Sequence, residues 1–110
     1  MAYDEDLADR IRGLIAEEGV TEQRMFGGLA FLIGGNMSVA ASGQGGLLVR
    51  VDPDEGETLL DAPHVEPMVM RGRPMAGWLR VGSDAVPTDA ELEPWVRRGV
   101  AYARSLPAKG

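Results

Sequence analysis

The spacing of apolar residues changes several times along this chain, and each change marks an element. Leu7, Ile11, Leu14 and Ile15 recur at helical intervals, so residues 4–17 are predicted to form an amphipathic helix. Asp4 is placed to cap it, the acids that follow suit the helix dipole, and Gly19 is a stop signal. Residues 24–34 are rich in apolar and β-prone side chains and read as a strand, with Gly27-Gly28 a bulge or a close backbone approach. Gly34-Gly35-Asn36 supplies a tight turn, so residues 37–42 should pair back as a hairpin. Gly43-Gln44-Gly45-Gly46 is a second turn, and Leu47 to Val51 is the third strand of a meander.

Asp52-Pro53 changes the pattern, because Asp at a cap and Pro at the first helical position start helices. A short helix from Pro53 to about Leu60 is predicted, weakened by Gly56. Residues 62–67 read as a loop, and 68–71 and 77–81 as two strands around Gly72-Arg73-Pro74-Met75-Ala76. The clearest helix is 88–106, where Thr88 and Glu91 fit a capping box. Its broad apolar face carries Leu92, Trp95, Val96, Gly99, Tyr102, Ala103 and Leu106. Pro94 predicts a bend or a restart, Pro107 ends the helix, and residues 108–110 should fray.

The resulting order is α-β-β-β-α-β-β-α, without a repeat or a linker. Runs of strands closed by helices predict an α+β fold, one two-layer domain over residues 1–110 with an antiparallel sheet packed against helices. The 110 residues can bury a core without disulfides, and the chain has no Cys. The apolar run from Leu29 to Ile33 is too short to cross a bilayer, and the acidic N-terminus is unlike a signal peptide. The expectation is a cytoplasmic protein with no membrane contact.

The net charge of −6 argues against direct nucleic-acid binding, but the charge is uneven. Residues 1–22 hold Asp4, Glu5, Asp6, Asp9, Glu17, Glu18 and Glu22 against only Arg10 and Arg12. Residues 67–82 hold Arg71, Arg73 and Arg80 and no acid. The ordinary reading is two solvated faces of opposite sign. The alternative is a cationic hairpin, 68–81, offered to a partner. Met68, Met70 and Met75 read first as core filling. Trp78 either caps the core or projects as an interface anchor. Trp95 and Tyr102, seven apart, read as a core-facing stripe.

Catalytic patterns find little support. His64 is the single His, set in a Pro-bounded loop beside Glu66, and nothing resembles a nucleophile elbow. One His and no Cys make no ordinary zinc site. Asp52-Pro53-Asp54-Glu55-Gly56 has its Gly at the wrong position for a calcium loop, so its acids read as a first helical turn. Gly72 to Gly77 has phosphate-loop spacing, but Trp78 and Leu79 stand where Lys and Ser or Thr belong. No catalytic residue, metal or cofactor is assigned.

Met25-Phe26-Gly27-Gly28, Phe31, Gly35, Met37 and Leu48-Val49-Arg50-Val51 form an ordered series. Pro67-Met68, Gly72-Arg73-Pro74-Met75, Gly77-Trp78, Leu92, Trp95-Val96, Tyr102-Ala103 and Leu106-Pro107 continue it. The series resembles the N-terminal domain of the TfoX/Sxy family over about residues 5–109. The resemblance implies a secretion-chaperone-like α+β architecture. It also implies an accessory role beside a cyclic-AMP-responsive transcription activator in natural competence, and no catalytic residues. The best-known members carry a further C-terminal helical domain that these residues do not include, so the resemblance implies a stand-alone domain.

The leading expectation is a non-enzymatic protein-interaction domain, an accessory in transcription regulation, contacting an unidentified protein through Arg71, Arg73, Trp78 and Arg80. The Gly27-Gly28 bulge is a neighbour of that surface. The rival is a small anionic-ligand-binding or enzymatic domain that uses the same basic hairpin. An open sheet edge also allows a homodimer.

Overall fold

The computed structural model describes residues 4–15, 20–25, 27–43, 45–62 and 64–107. The elements are α1 (Glu5–Leu14), β1 (Thr21–Met25), β2 (Gly28–Ile33), β3 (Asn36–Ala41) and β4 (Leu47–Arg50). After them come α2 (Pro53–Leu59), β5 (Val65–Met70), β6 (Arg73–Val81), a short 3-10 turn (Ser83–Ala85) and α3 (Asp89–Ser105). One antiparallel sheet runs β1-β2-β3-β4-β6-β5. The fold is α+β in the predicted order, with its first strand folded back on itself.

That first strand is where the structure corrects the sequence. Residues 24–34 divide into β1 and β2, a hairpin with Met25 opposite Gly28. Gly27 is the turn, at φ 75°, rather than a bulge inside one strand. A side chain at Gly28 would press into the Ala41 carbonyl at 2.0 Å, so the close approach predicted there is real. The predicted loop 62–67 is also shorter, because Val65 to Pro67 already pair with β6. The turn after β5 is Arg71-Gly72 rather than 72–76. The end of the first helix at 16–17, its stop at Gly19, Phe26, Gln44, Pro63 and the fraying of 108–110 lie outside the described residues.

Capping at α1 and α2 follows the sequence closely. Asp4 accepts from the Leu7 N–H at 3.1 Å, and Asp52 accepts from the Asp54 N–H at 2.9 Å. Asp54 and Glu55 are the first turn of α2, as the sequence indicates. At α3 the expected capping box does not form: the Thr88 hydroxyl donates to the Glu91 carboxylate at 2.9 Å and its side chain caps no backbone N–H. Helix α3 runs unbroken through Pro94, with no restart. Pro94 and Ala90 are both exposed, which leaves the freed Ala90 carbonyl open to water.

Helices α1 and α3 cover one face of the sheet. Leu7, Ile11, Leu92 and Val96 meet Phe31, Val39, Val49, Leu79 and Val81 there. Helix α3 comes close to β3 because residue 99 is Gly. A Cβ on Gly99 would lie 2.4 Å from the Ser38 carbonyl oxygen. Ser38 sits in the register shift between β2 and β3, and its buried hydroxyl donates to the Phe31 carbonyl at 2.9 Å. Alternation sends Ala30, Leu32, Ala40 and Leu48 to the other face, where they form a second apolar cluster with Met37 and Met68. Two polar ties hold α3 at its ends. Arg10 bonds Asp89 at 2.8 Å, linking α1 to the start of α3. Asn36 donates to the Pro107 carbonyl at 3.0 Å, pinning the chain after α3.

Arg12 of α1 grips both carboxylate oxygens of Glu22 on β1. That hydrogen bonding holds the Glu22 carboxyl below its ordinary range, against slight desolvation and with help from the Arg12 charge. A depressed folded pKa adds stability above the unfolded value and loses it as pH falls through the folded one. Arg12→Ala should therefore cost about 0.5 kcal/mol at neutral pH, a small value because the pair is partly exposed, and the difference should fade in acid. Urea denaturation at both pH values measures it.

Two glycines on helices should respond in opposite directions to Ala. Gly13 has open space around it, so Gly13→Ala should stabilise by up to about 1 kcal/mol. Gly99→Ala forces α3 off the Ser38 backbone and should cost about 1–3 kcal/mol despite the better propensity. Thermal melts of the two variants should move apart.

Candidate functional site

The hairpin β5–β6 turns on two residues, Arg71 at φ 53° and Gly72 at φ 78°. Two positive φ values in a two-residue loop define a primed turn, whose twist matches its strands. Gly suits this geometry, whereas Arg seldom adopts it. The hairpin also outruns its neighbour. The last pair between β4 and β6 is Arg50 with Trp78, so residues 73–77 extend beyond β4. Near their base Gly77, at φ 82°, bends β6 so that its carbonyl accepts from the Val51 N–H at 2.7 Å. A Cβ there would lie 2.6 Å from the Val51 carbonyl and 3.4 Å from the Pro53 ring. Gly56 of α2 rests on the same spot.

The four hairpin residues singled out by sequence fall into two groups. Arg71 and Arg73 are exposed at the tip. Trp78 and Arg80 are half-buried further along β6, beyond the bend at Gly77. Gly27-Gly28 lies on the far side of the sheet, at the β1–β2 hairpin, and does not adjoin the tip.

Trp78 is half-buried and packs against the second apolar cluster, so it covers that core. Arg50, its cross-strand partner, stacks its guanidinium 5.1 Å from the Trp78 ring centroid and 5.6 Å from that of Tyr102 on α3. Arg50 thus bridges sheet and helix. Sequence reasoning assigned it no role, although alternation from Leu48 could have placed it on this face. Tyr102 is half-buried, as is Trp95, which packs on the main core and carries Arg98 at 4.9 Å. Beyond Tyr102 an open cleft of about 510 Å³ is lined by Asp52, Glu55, Arg97, Arg98, Ala101 and Ser105. Its lining mixes signs, so it favours neither anion nor cation.

Arg80 lies in a smaller hollow of about 200 Å³ with His64, Glu66, Gly45 and Gly82. Its Nη1 donates to the Ser42 hydroxyl at 3.4 Å, and Glu66 is its partner in register. His64 is exposed, at φ 63°, and its carbonyl accepts from the Gly82 N–H at 2.9 Å. Of the three Met in the hairpin, Met68 is buried and Met75 half-buried, while the Met70 side chain lies outside the described set. No helix among the described residues is long and apolar enough to cross a membrane.

The turn at Arg71-Gly72, the bend at Gly77 and the contact of Trp78 with the second cluster all lie within the stretch from Met68 to Val81 that the sequence set apart. The profile of the TfoX N-terminal domain matches residues 13–103. The chain belongs to the TfoX N-terminal domain family. No curated protein matches it significantly. In this TfoX N-terminal domain, the pattern residues Gly28, Gly72, Gly77 and Trp78 have structural work, in turns, close approaches and the second core.

Trp78→Ala should therefore lower stability by about 2 kcal/mol, below the range for a fully buried Trp because part of the ring is exposed. Arg50→Ala should cost about 0.5–1 kcal/mol through the lost ring contacts. The double variant should cost less than the sum, since each change removes the same stacking. Equilibrium unfolding of the three variants provides the cycle.

Proposed function

We propose that this TfoX N-terminal domain is a non-enzymatic protein-interaction module, an accessory in transcription regulation, that presents the tip of its β5–β6 hairpin to an acidic surface of a protein partner. The observation that carries the reading is Arg71. It occupies a left-handed turn position that Gly or Asn would fill at lower cost. It also stands exposed beside Arg73 on a hairpin that outruns the sheet. Backbone strain held at an exposed cationic tip supports a role in contact rather than in folding. Trp78 and Arg80 lie further along β6, beyond the bend at Gly77, and are not part of the tip.

The second reading is an anionic ligand held by Arg80. It is favoured by the hollow that Arg80 shares with His64, where Glu66 opposes a negative guest. A saturable thermal shift with nucleotides or organic acids, abolished by Arg80→Ala, would support it over the first.

The leading reading has its own test. Arg71→Asn should raise stability by about 0.5–1 kcal/mol, because Asn tolerates the left-handed region. The same change, and more so with Arg73→Ser, should weaken capture of a protein partner from the source cells. If Arg71→Asn raises the melting temperature and leaves capture intact, the tip is not the contact.

A further inference from the structure

The six-stranded sheet has two edges, β1 and β5, and the chain treats them differently. On β5, Pro67 lacks an N–H, and the register breaks between Pro67 and Val69. These are features that discourage edge pairing. On β1 there is no Pro and no break. Thr21 to Met25 pair with β2 in continuous register, and Thr21 to Arg24 are all exposed. One side of this strand's backbone is used by β2, and the other side is a row of donors and acceptors for a further strand.

The side chains of β1 say what that strand is. We propose that β1 pairs with β1 of a second copy, antiparallel, about a two-fold axis at Gln23, to make one sheet across both copies. In this register Glu22 lies opposite Arg24 of the second copy and Arg24 opposite its Glu22, while Thr21 meets Met25. Glu22 and Arg24 share one face of the strand, so both ion pairs form on the same side. Arg24 forms no ion pair among the described residues. Glu22 is already held by Arg12, yet a carboxylate has lone pairs for a second guanidinium. The result is an alternating row, Arg12, Glu22, then Arg24 of the second copy.

The same residues select the register. A shift of two residues is the smallest that keeps every side chain on its own face. One such shift sets Glu22 against its own copy, and the other sets Arg24 against its own copy. Both place like charges opposite, which is unfavourable. The site is on the opposite edge of the sheet from β5 and stands apart from the hairpin tip.

Sedimentation of the intact chain at about 100 μM, suited to the weak affinity of a small interface, should report a dimer. R24E sets Glu against Glu in both pairs and should weaken the dimer about tenfold or more. E22R should do the same with Arg against Arg. A mixture of the two variants should associate as a heterodimer, and the double variant E22R/R24E should recover the homodimer. Circular dichroism checks each fold. Arg24 has no ion pair to lose among the described residues, so R24E decides alone should E22R unfold. A wild type that stays monomeric overturns the proposal. So does an R24E dimer as tight as wild type, which would place the contact on another surface, or folded single variants that fail to associate when mixed.

Discussion

The structure depends on how closely α3 can lie on β3. At Gly99 the helix backbone sits where a methyl group would strike the Ser38 carbonyl. That approach needs the helix to lack a side chain at residue 99 and β3 to carry an extra residue at Ser38. The Ser38 hydroxyl returns a hydrogen bond to Phe31 where the ladder is broken, so the irregularity leaves that buried group satisfied. With the helix seated, Leu92, Val96 and Ala103 reach the central strands, and Tyr102 arrives within stacking distance of Arg50. Through Arg50 and Trp78 the seating of α3 is felt on the opposite face, under the second cluster.

Legibility in the sequence followed the range of the interaction. Caps at Asp4 and Asp52 act over two or three residues, and both were readable. The helical stripe around Leu92, Val96 and Ala103 is periodic and was readable too. The split of 24–34 was not. Gly27-Gly28 within an apolar run is compatible with a bulge or a hairpin, and what decides is that Gly28 must pass the Ala41 carbonyl, thirteen residues on. The turn at Arg71-Gly72 was missed for a related reason. Arg is a poor residue for a primed turn, so the sequence favoured the Gly-to-Ala stretch after it, and strand pairing overrode that preference. The partnership of Arg50 with Trp78 depends on register between strands separated by α2, and no local pattern encodes it.

The candidate surface was legible as a charge anomaly and not as a shape. Counting found Arg71, Arg73, Trp78 and Arg80 on one segment, but the bend at Gly77 and the length of β6 divide them. Trp78 faces the sheet's own apolar cluster, and Arg80 faces a hollow with His64 and Glu66. Only the two tip arginines are exposed and lack a place in the packing.

This division separates what the fold requires from what it merely permits. Gly77 is required, since Val51 and Pro53 occupy the space of any side chain there. Gly72 is required by its positive φ, and Trp78 by the cluster it covers. Arg71 is in the opposite position: the same turn would form at lower cost with Asn or Gly. On the other edge, Arg24 is exposed and its guanidinium forms no ion pair among the described residues. On our proposals, a cation that burdens the turn and another that forms no ion pair among the described residues are answered by charges from outside, an acidic partner for the first and Glu22 of a second copy for the second.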